Sequence, residues 1–430
     1  MPSVVLFGLA AIILWSLVAH RFERWGVAGP AGLMLLGALS VIWDVDAFGV
    51  TIDSHLAEKV VEIILAVLLF VDATEVKGGL FGGEGRVIAR LVLIGLPLSL
   101  VLAVASGFFL APGAGILVAL VLACVLMPTD FSSAAQLLRG RHLPERTRQI
   151  LNVESGYNDG LISPLFSMAL AAAVFVFALG PITSDTIEVT DEQASQLEGP
   201  AEEFVVAFFN AVPATVNALI VGIVLGAGIG LLVAFVRRRE LANAVGVRYI
   251  MLLVPLVAYG IATLPVLGAN GFVAAFVAGI AYRFARTRNL PEREIDRSEL
   301  LLIDEVGTLT AYFVWFVVGG AAVLVFTTGV DWRIVLLAFL ALTVLRIGPV
   351  YLSLMGSSVA RQERLTIGAL GPRGTASIVF GLLAYNALPE GPDDVVLSAT
   401  VLVVVGSILL HGVIAPFAVR RIYRDAAAVS

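Results

Sequence analysis

Charge, glycine and proline cut this chain into a succession of apolar runs, and those runs constrain its fold more than any other feature. They lie at roughly 4–20, 28–43, 57–73, 86–110, 113–138, 149–180, 204–236, 246–263, 267–285, 300–326, 332–355, 365–387 and 395–419. Most approach or exceed the ~20 apolar residues that carry a helix across a bilayer. Of the 430 residues, 59% are apolar and 14% charged, against roughly 45–50% and 25% in a soluble globular chain. The expectation is an all-α polytopic membrane protein with about 13 transmembrane helices, 1–430 forming one unit. No basic leader region precedes the first apolar run and no small-residue cleavage site follows it, so it reads as a retained span. Cys124 is the only cysteine, which excludes intrachain disulfides and cysteine-rich metal sites. No basic cluster with interleaved aromatics suggests nucleic acid.

The connecting loops alternate in charge. Those after odd-numbered segments carry Arg21 and Arg24; Lys77 and Arg86; Arg139, Arg141, Arg146 and Arg148; Arg237, Arg238 and Arg239; Arg283, Arg286, Arg288 and Arg293; Arg361 and Arg364. The tail adds Arg420, Arg421 and Arg424. Lys59 and Arg333 are the bases flanking the other loops, one of which, from Ser184 to Phe204, is acidic. Basic loops stay in the cytoplasm. The expected topology therefore has Met1 outside, Ser430 inside and thirteen crossings of the plasma (inner) membrane.

Two segments are disturbed in mid-membrane. The fifth carries Pro128, Thr129 and Asp130, and the twelfth Gly371, Pro372, Arg373 and Gly374. A lone proline kink is the simpler reading of either. Yet both breaks free backbone groups, tolerated at that depth only inside protein or along a wet cavity, and both hold an ionisable residue. Each is also the penultimate segment of a six-span half, 1–181 and 246–420, separated by a linking span at 204–237. One intervening span inverts the second half relative to the first. Broken helices at matched positions of inverted repeats point to a transporter's substrate site.

The sixth segment places Glu154 with Asn158, and Ser155 with Asp159, at i, i+4 spacing, a polar stripe on an apolar helix. Two carboxylates and two neutral oxygens suit a hard monovalent cation. A solvated helix end is the competing reading for Glu154, and a weaker one for Asp159 a turn deeper. Arg346 lies mid-span and needs a carboxylate partner, for which Glu154 is the candidate. Asp72 and Glu75 end the third segment; Glu75 reads as interfacial. Asn270 and His411 read as packing hydrogen bonders, and Asp304 with Glu305 as a solvated entrance.

Pro128-Thr129-Asp130, Leu143-Pro144, the run Asn152 to Gly160 and the run Gly371 to Phe380 resemble the bacterial NhaP-like sodium/proton antiporters, of the cation:proton antiporter family's electroneutral branch. The resemblance extends over nearly the whole chain. It implies two crossed interrupted helices (the NhaA-like antiporter fold), a six-helix core, a dimerisation domain and a homodimer. It implies that Asp159 binds cation and proton in turn, with Ser155, Thr129 and Asp72 as further Na⁺ ligands. Asn158 becomes the neutral member of an Asn-Asp pair, Glu154 and Arg346 a structural ion pair, and Asp130 and Arg373 the charges that offset helix dipoles at the crossing. Tyr157 and Phe131 depart from the family pattern, where leucine and a small residue are usual.

A carboxylate withdrawn from water favours its uncharged or cation-bound form. Exchange of Na⁺ (or Li⁺) for H⁺ at one acid then needs no ATP, no enzyme chemistry and no cofactor, and a single acid gives a 1:1, electroneutral count. A K⁺/H⁺ antiporter of the same fold stays open. An intramembrane aspartyl hydrolase using Asp130 and Asp159 leaves Arg346 and the Gly371–Gly374 break without a role, and no filter-like segment suggests a channel.

Overall fold

The computed structural model describes residues 3–25, 27–42, 45–52, 55–75, 83–111, 113–139, 143–178, 191–288 and 295–429. Lys77, Arg141, Arg293, both terminal residues, the start of the acidic stretch and the Glu75 side chain lie outside the described residues. Every described element is helical.

Helices α1 (Ser3–Arg24), α2 (Gly29–Val41) and the short α3 (Val45–Ile52) lead into α4 (His55–Glu75). Next, α5 (Gly85–Arg90) passes through a π-helical turn, Leu91–Gly95, into α6 (Leu96–Leu110). Helix α7 (Gly115–Leu126) stops before Pro128 and resumes as a 3₁₀ turn, Phe131–Ala134, and α8 (Ala135–Arg139). The long α9 (Glu145–Ala178) and α10 (Asp191–Arg238) precede α11 (Ala244–Ala262), α12 (Gly271–Thr287) and α13 (Arg297–Thr328). Then come α14 (Trp332–Leu342) and α15 (Val344–Ser353), followed by α16 (Arg361–Ala369) and α17 (Thr375–Ala387) on either side of the second break. The chain closes with α18 (Pro392–Ser407), a π-helical stretch Ile408–Ile414, and α19 (Ala415–Val429).

Each predicted segment coincides with a helix or a broken pair. Eight of the described helical rods are long and apolar enough to cross a membrane, nine if α7 and its continuation, bent by 40°, count as one. Fewer crossings are thus singled out by length and apolar character than the thirteen expected. The difference arises partly because α2 and α17 have only 13 residues each.

Two expectations need correction. The acidic stretch read as a loop is helical from Asp191 onward, as the start of α10. Its Glu, Gln and Ala residues favour helix, and charge alone does not break one. The eleventh segment is not continuous: Thr343 leaves helical geometry (φ −124°, ψ −93°) between α14 and α15.

Helices meet at close range where side chains are small. A Cβ on Gly226 would lie 2.2 Å from the Ala278 carbonyl oxygen, and one on Gly37 2.0 Å from that of Phe316. So α10 packs on α12 and α2 on α13 almost backbone to backbone, as membrane helices do without a hydrophobic drive between them. Around the two breaks the packing is dense: Val118 to Leu126 on α7 and Ile378 to Ala384 on α17 are almost all fully buried.

Candidate functional site at the helix crossing

The two breaks touch through main chain: the Asp130 N–H donates to the Pro372 carbonyl at 2.9 Å. Four helix ends converge there, and each leaves backbone groups without intrahelical partners. Asp130 serves the N-terminal ends. Its Oδ1 accepts from the Ser132 N–H at 2.7 Å, and its Oδ2 from the Thr375 hydroxyl at 2.5 Å and the Ala376 N–H at 3.3 Å. Arg373, fully buried, serves the C-terminal ends. It donates to the carbonyls of Leu126, which ends α7, of Gly371, and of Ala341, near the end of α14. Anionic groups at helix starts and cationic groups at helix ends are the favourable placement against the helix dipole. Gly374 is required here, because a Cβ would lie 2.2 Å from the Ser132 hydroxyl and 2.5 Å from the Asp130 carboxylate.

Helix α9 lies against this crossing with its polar stripe. The Ser155 hydroxyl donates to the Thr129 carbonyl at 2.5 Å. The Asn158 Nδ2 donates both to the Thr129 hydroxyl at 2.7 Å and to Glu154 Oε1 at 3.0 Å. Arg346 grips Glu154 with two parallel bonds, Nη1 to Oε1 at 2.5 Å and Nη2 to Oε2 at 2.6 Å. Both residues are buried, at 2% and 1% exposure, so the solvated-helix-end reading of Glu154 does not hold. The predicted partnership is the observed one, in the bidentate geometry that arginine favours with carboxylates.

Asp159 stands apart from the paired acids Glu154 and Asp130. It is 1% exposed, and its Oδ1 has no hydrogen-bond partner among the described residues. Asp130, Asp72, Arg373 and Glu154 are the charges near enough to act on it. A buried acid with an open oxygen, one helical turn from Ser155, whose hydroxyl meets the Thr129 carbonyl, is set to take either a proton or a cation with oxygen ligands. Asp72 is half-buried on α4. No described group of three His, Cys, Asp or Glu side chains forms a transition-metal-type site.

The remaining predicted residues sort themselves. Asn270 caps α12, accepting from the Phe272 and Val273 N–H groups, and donates to the Ser167 hydroxyl. His411 is buried between the Ser407 hydroxyl and the Ala369 carbonyl. Both are hydrogen bonders of the packing, as expected. Glu305 is exposed and Asp304 half-exposed. Phe131 is buried in a cluster with Val87 and Leu151, and Tyr157 sets its ring edge-on to Phe276.

Two features escaped the sequence reading. Thr375 is a partner of Asp130, and the signal was its place as the first residue after the Gly371–Gly374 break. Glu299 is fully buried on α13 and takes Arg237 and Arg286 at 2.6 Å each. Those arginines had registered only as loop charge.

An all-helical membrane protein whose broken helices cross beside a buried, unpaired acid has the architecture of a secondary ion transporter. The chain belongs to the transmembrane sodium/hydrogen exchanger family, whose model matches residues 8–421, and exchange of Na⁺ for H⁺ is its activity. It is 25% identical over 361 residues to a Na⁺/H⁺ antiporter of Schizosaccharomyces pombe, covering 79% of this chain and 69% of that one. It is 27% identical over 188 residues to an uncharacterised Na⁺/H⁺ exchanger, YjcE, of Escherichia coli, covering 42% of this chain and 33% of that one. A Mycobacterium bovis exchanger, also uncharacterised, is 31% identical over 179 residues, 41% of this chain and 31% of its own. These two bacterial relatives are thus matched over about a third of their length. The fold is that of MjNhaP1, a sodium proton antiporter of Methanocaldococcus jannaschii, with a TM-score of 0.67 at 18% identity over 95% of this chain and 98% of that one.

Proposed function

We propose that Asp159 is the shared binding site for Na⁺ and H⁺, and that one of each is exchanged per cycle. The observation that carries this reading is the open Oδ1 of a fully buried carboxylate, one turn from Ser155, whose hydroxyl donates to the Thr129 carbonyl. With a proton bound, Asp159 is neutral. With Na⁺ bound, the Asp159 carboxylate, the Ser155 hydroxyl, the Thr129 carbonyl and Asp72 supply oxygens. Bare, it leaves an uncompensated charge in a dry barrier, at a cost of several kcal/mol, so the protein changes access only when loaded. Glu154 is held by Arg346 and Asp130 by the helix starts, and Asp159 is the buried acid that keeps an open oxygen. That favours an electroneutral count.

In this reading the crossed helices belong to a core that moves against a fixed scaffold. The protein is a homodimer in the plasma (inner) membrane, with thirteen crossings, its N-terminus outside and its C-terminus in the cytoplasm.

Proteoliposomes with an entrapped pH dye test the proposal. Na⁺ and Li⁺ are expected to drive proton movement, K⁺ is not, and the Na⁺ rate is expected to ignore an imposed membrane potential. Asp159→Asn keeps shape and hydrogen-bonding capacity and is expected to fold yet exchange nothing. Clear Na⁺/H⁺ exchange by Asp159→Asn against empty vesicles would falsify the mechanism.

A further inference from the structure

The polar stripe on α9 does not stop at Asp159. Ser163 and Ser167 continue it at i+4 and i+8, about 6 and 12 Å further along the helix at 1.5 Å per residue. They lie away from the basic end of α9 that carries Arg146 and Arg148. Side chains on a helix lean toward its N-terminus, so Ser163 leans back along the stripe in the direction of Asp159.

Part of this ladder has a local explanation. Pro164 lies inside α9 and has no N–H, so the Gly160 carbonyl loses its usual partner. The Ser163 hydroxyl donates to that carbonyl at 3.2 Å, and the Ser167 hydroxyl donates to the Ser163 carbonyl at 3.0 Å. Each hydroxyl thereby spends its one proton on the helix, and acceptor lone pairs remain. Asn270 Nδ2 uses one on Ser167, at 3.3 Å, from the outer end of α12. Next to Asp159 in the chain, at Gly160, α12 places an obstacle. The ring of Phe276 lies directly over Gly160, where a Cβ would come within 2.5 Å of it, and edge-on to Tyr157 with centroids 5.9 Å apart.

We propose that Ser163, Ser167 and Asn270 line the outer route of Na⁺ and H⁺ to Asp159, and that Phe276, seated on Gly160, closes it. The inference rests on the reading of Asp159 as the exchange site. Oxygen acceptors at one-turn intervals replace a cation's hydration stepwise. The absent side chain at Gly160 lets a phenyl ring seal the passage at the residue next to the binding acid. Opening requires α9 to shift along α12, which unseats Phe276 and breaks the Asn270–Ser167 bond.

Side-specific labelling tests this, because Cys124 is buried and wild type serves as an unreactive control. Ser163→Cys and Ser167→Cys are exposed, in vesicles of each orientation, to a membrane-impermeant trimethylammonium-ethyl methanethiosulfonate. Ser167→Cys is expected to react from outside only, more slowly with Na⁺ present. Ser163→Cys is expected to react slowly from outside, and several-fold faster when combined with Phe276→Ala. Phe276→Ala alone is expected to leak protons without Na⁺. Reaction of Ser167→Cys from inside only or from neither side, or no effect of Phe276→Ala on Ser163→Cys, overturns the proposal. Asp159→Asn in the same vesicles separates the two claims. If it still exchanges, the exchange-site reading falls and the route with it; if it is inactive and no outside labelling occurs, the route alone falls.

Discussion

Asp130 and Arg373 cap opposite poles of one crossing: the carboxylate holds the starts of the 3₁₀ turn and α17, and the guanidinium holds the ends of α7 and α14. They do not pair with each other. Their losses should therefore differ. Asp130→Asn keeps an acceptor and forfeits charge, about 1–2 kcal/mol at helix termini. Arg373→Ala strands three buried carbonyls, each costing about 1–3 kcal/mol. Thermal unfolding in detergent should rank Arg373→Ala far below Asp130→Asn, and equal losses would argue against this division of tasks.

The Glu154–Arg346 pair predicts non-additivity. Removing one member of a buried ion pair leaves an uncompensated charge and costs about 3–5 kcal/mol, whereas removing both is much milder. Arg346→Gln should reduce stability sharply, and the double variant Glu154→Gln with Arg346→Gln should recover part of it. Additive losses in a double-mutant cycle would sink the pairing argument.

Asn158 has a more structural task than its place in the polar stripe implies. Its amide bridges Thr129 and Glu154, and an aspartate there donates to neither unless protonated. Asn158→Asp sets a second carboxylate against Glu154. The expected outcome is a less stable protein whose exchange responds to membrane potential no more than that of wild type and whose stability recovers toward lower pH. Potential-sensitive exchange at undiminished stability would show that the new acid titrates freely.

Arg146 ties the start of α9 to Glu84 at 2.6 Å and to the Ser358 hydroxyl at 2.8 Å. The guanidinium holds the Glu84 carboxyl below its ordinary 4.5. A depressed folded value adds stability that is complete above 4.5 and is lost as pH falls through the folded value. The pair is partly exposed, so about 0.2–1 kcal/mol is expected. Glu84→Gln should lower the midpoint of unfolding slightly at pH 7 and converge with wild type in acid. No difference at pH 7 would remove the contribution.

The sequence carried the fold because a bilayer admits few solutions to long apolar runs, and Pro128 and Pro372 marked the breaks that matter. It carried the Glu154–Arg346 pair because a charge in mid-membrane must have a partner. The break at Thr343 was hidden: no proline or glycine marks it, and the carbonyl that accepts from Arg373 there belongs to Ala341, whose side chain is mute. The bridging role of Asn158 was hidden too, since spacing along one helix places it beside Glu154 but does not reveal Thr129 arriving from another. Phe276 over Gly160 is a contact between distant segments, and an apolar residue in an apolar run carries no local signal.

The bond from the Asp130 N–H to the Pro372 carbonyl joins the two interrupted segments through atoms that no side chain supplies. Point substitution at either position leaves it intact unless the backbone itself moves or position 130 becomes proline. Sequence drift can therefore rewrite the surroundings of the crossing without unfastening it, in keeping with a shared fold at 18% identity. To cut the fastening chemically, position 130 needs an ester in place of its amide, an α-hydroxy acid built into the chain.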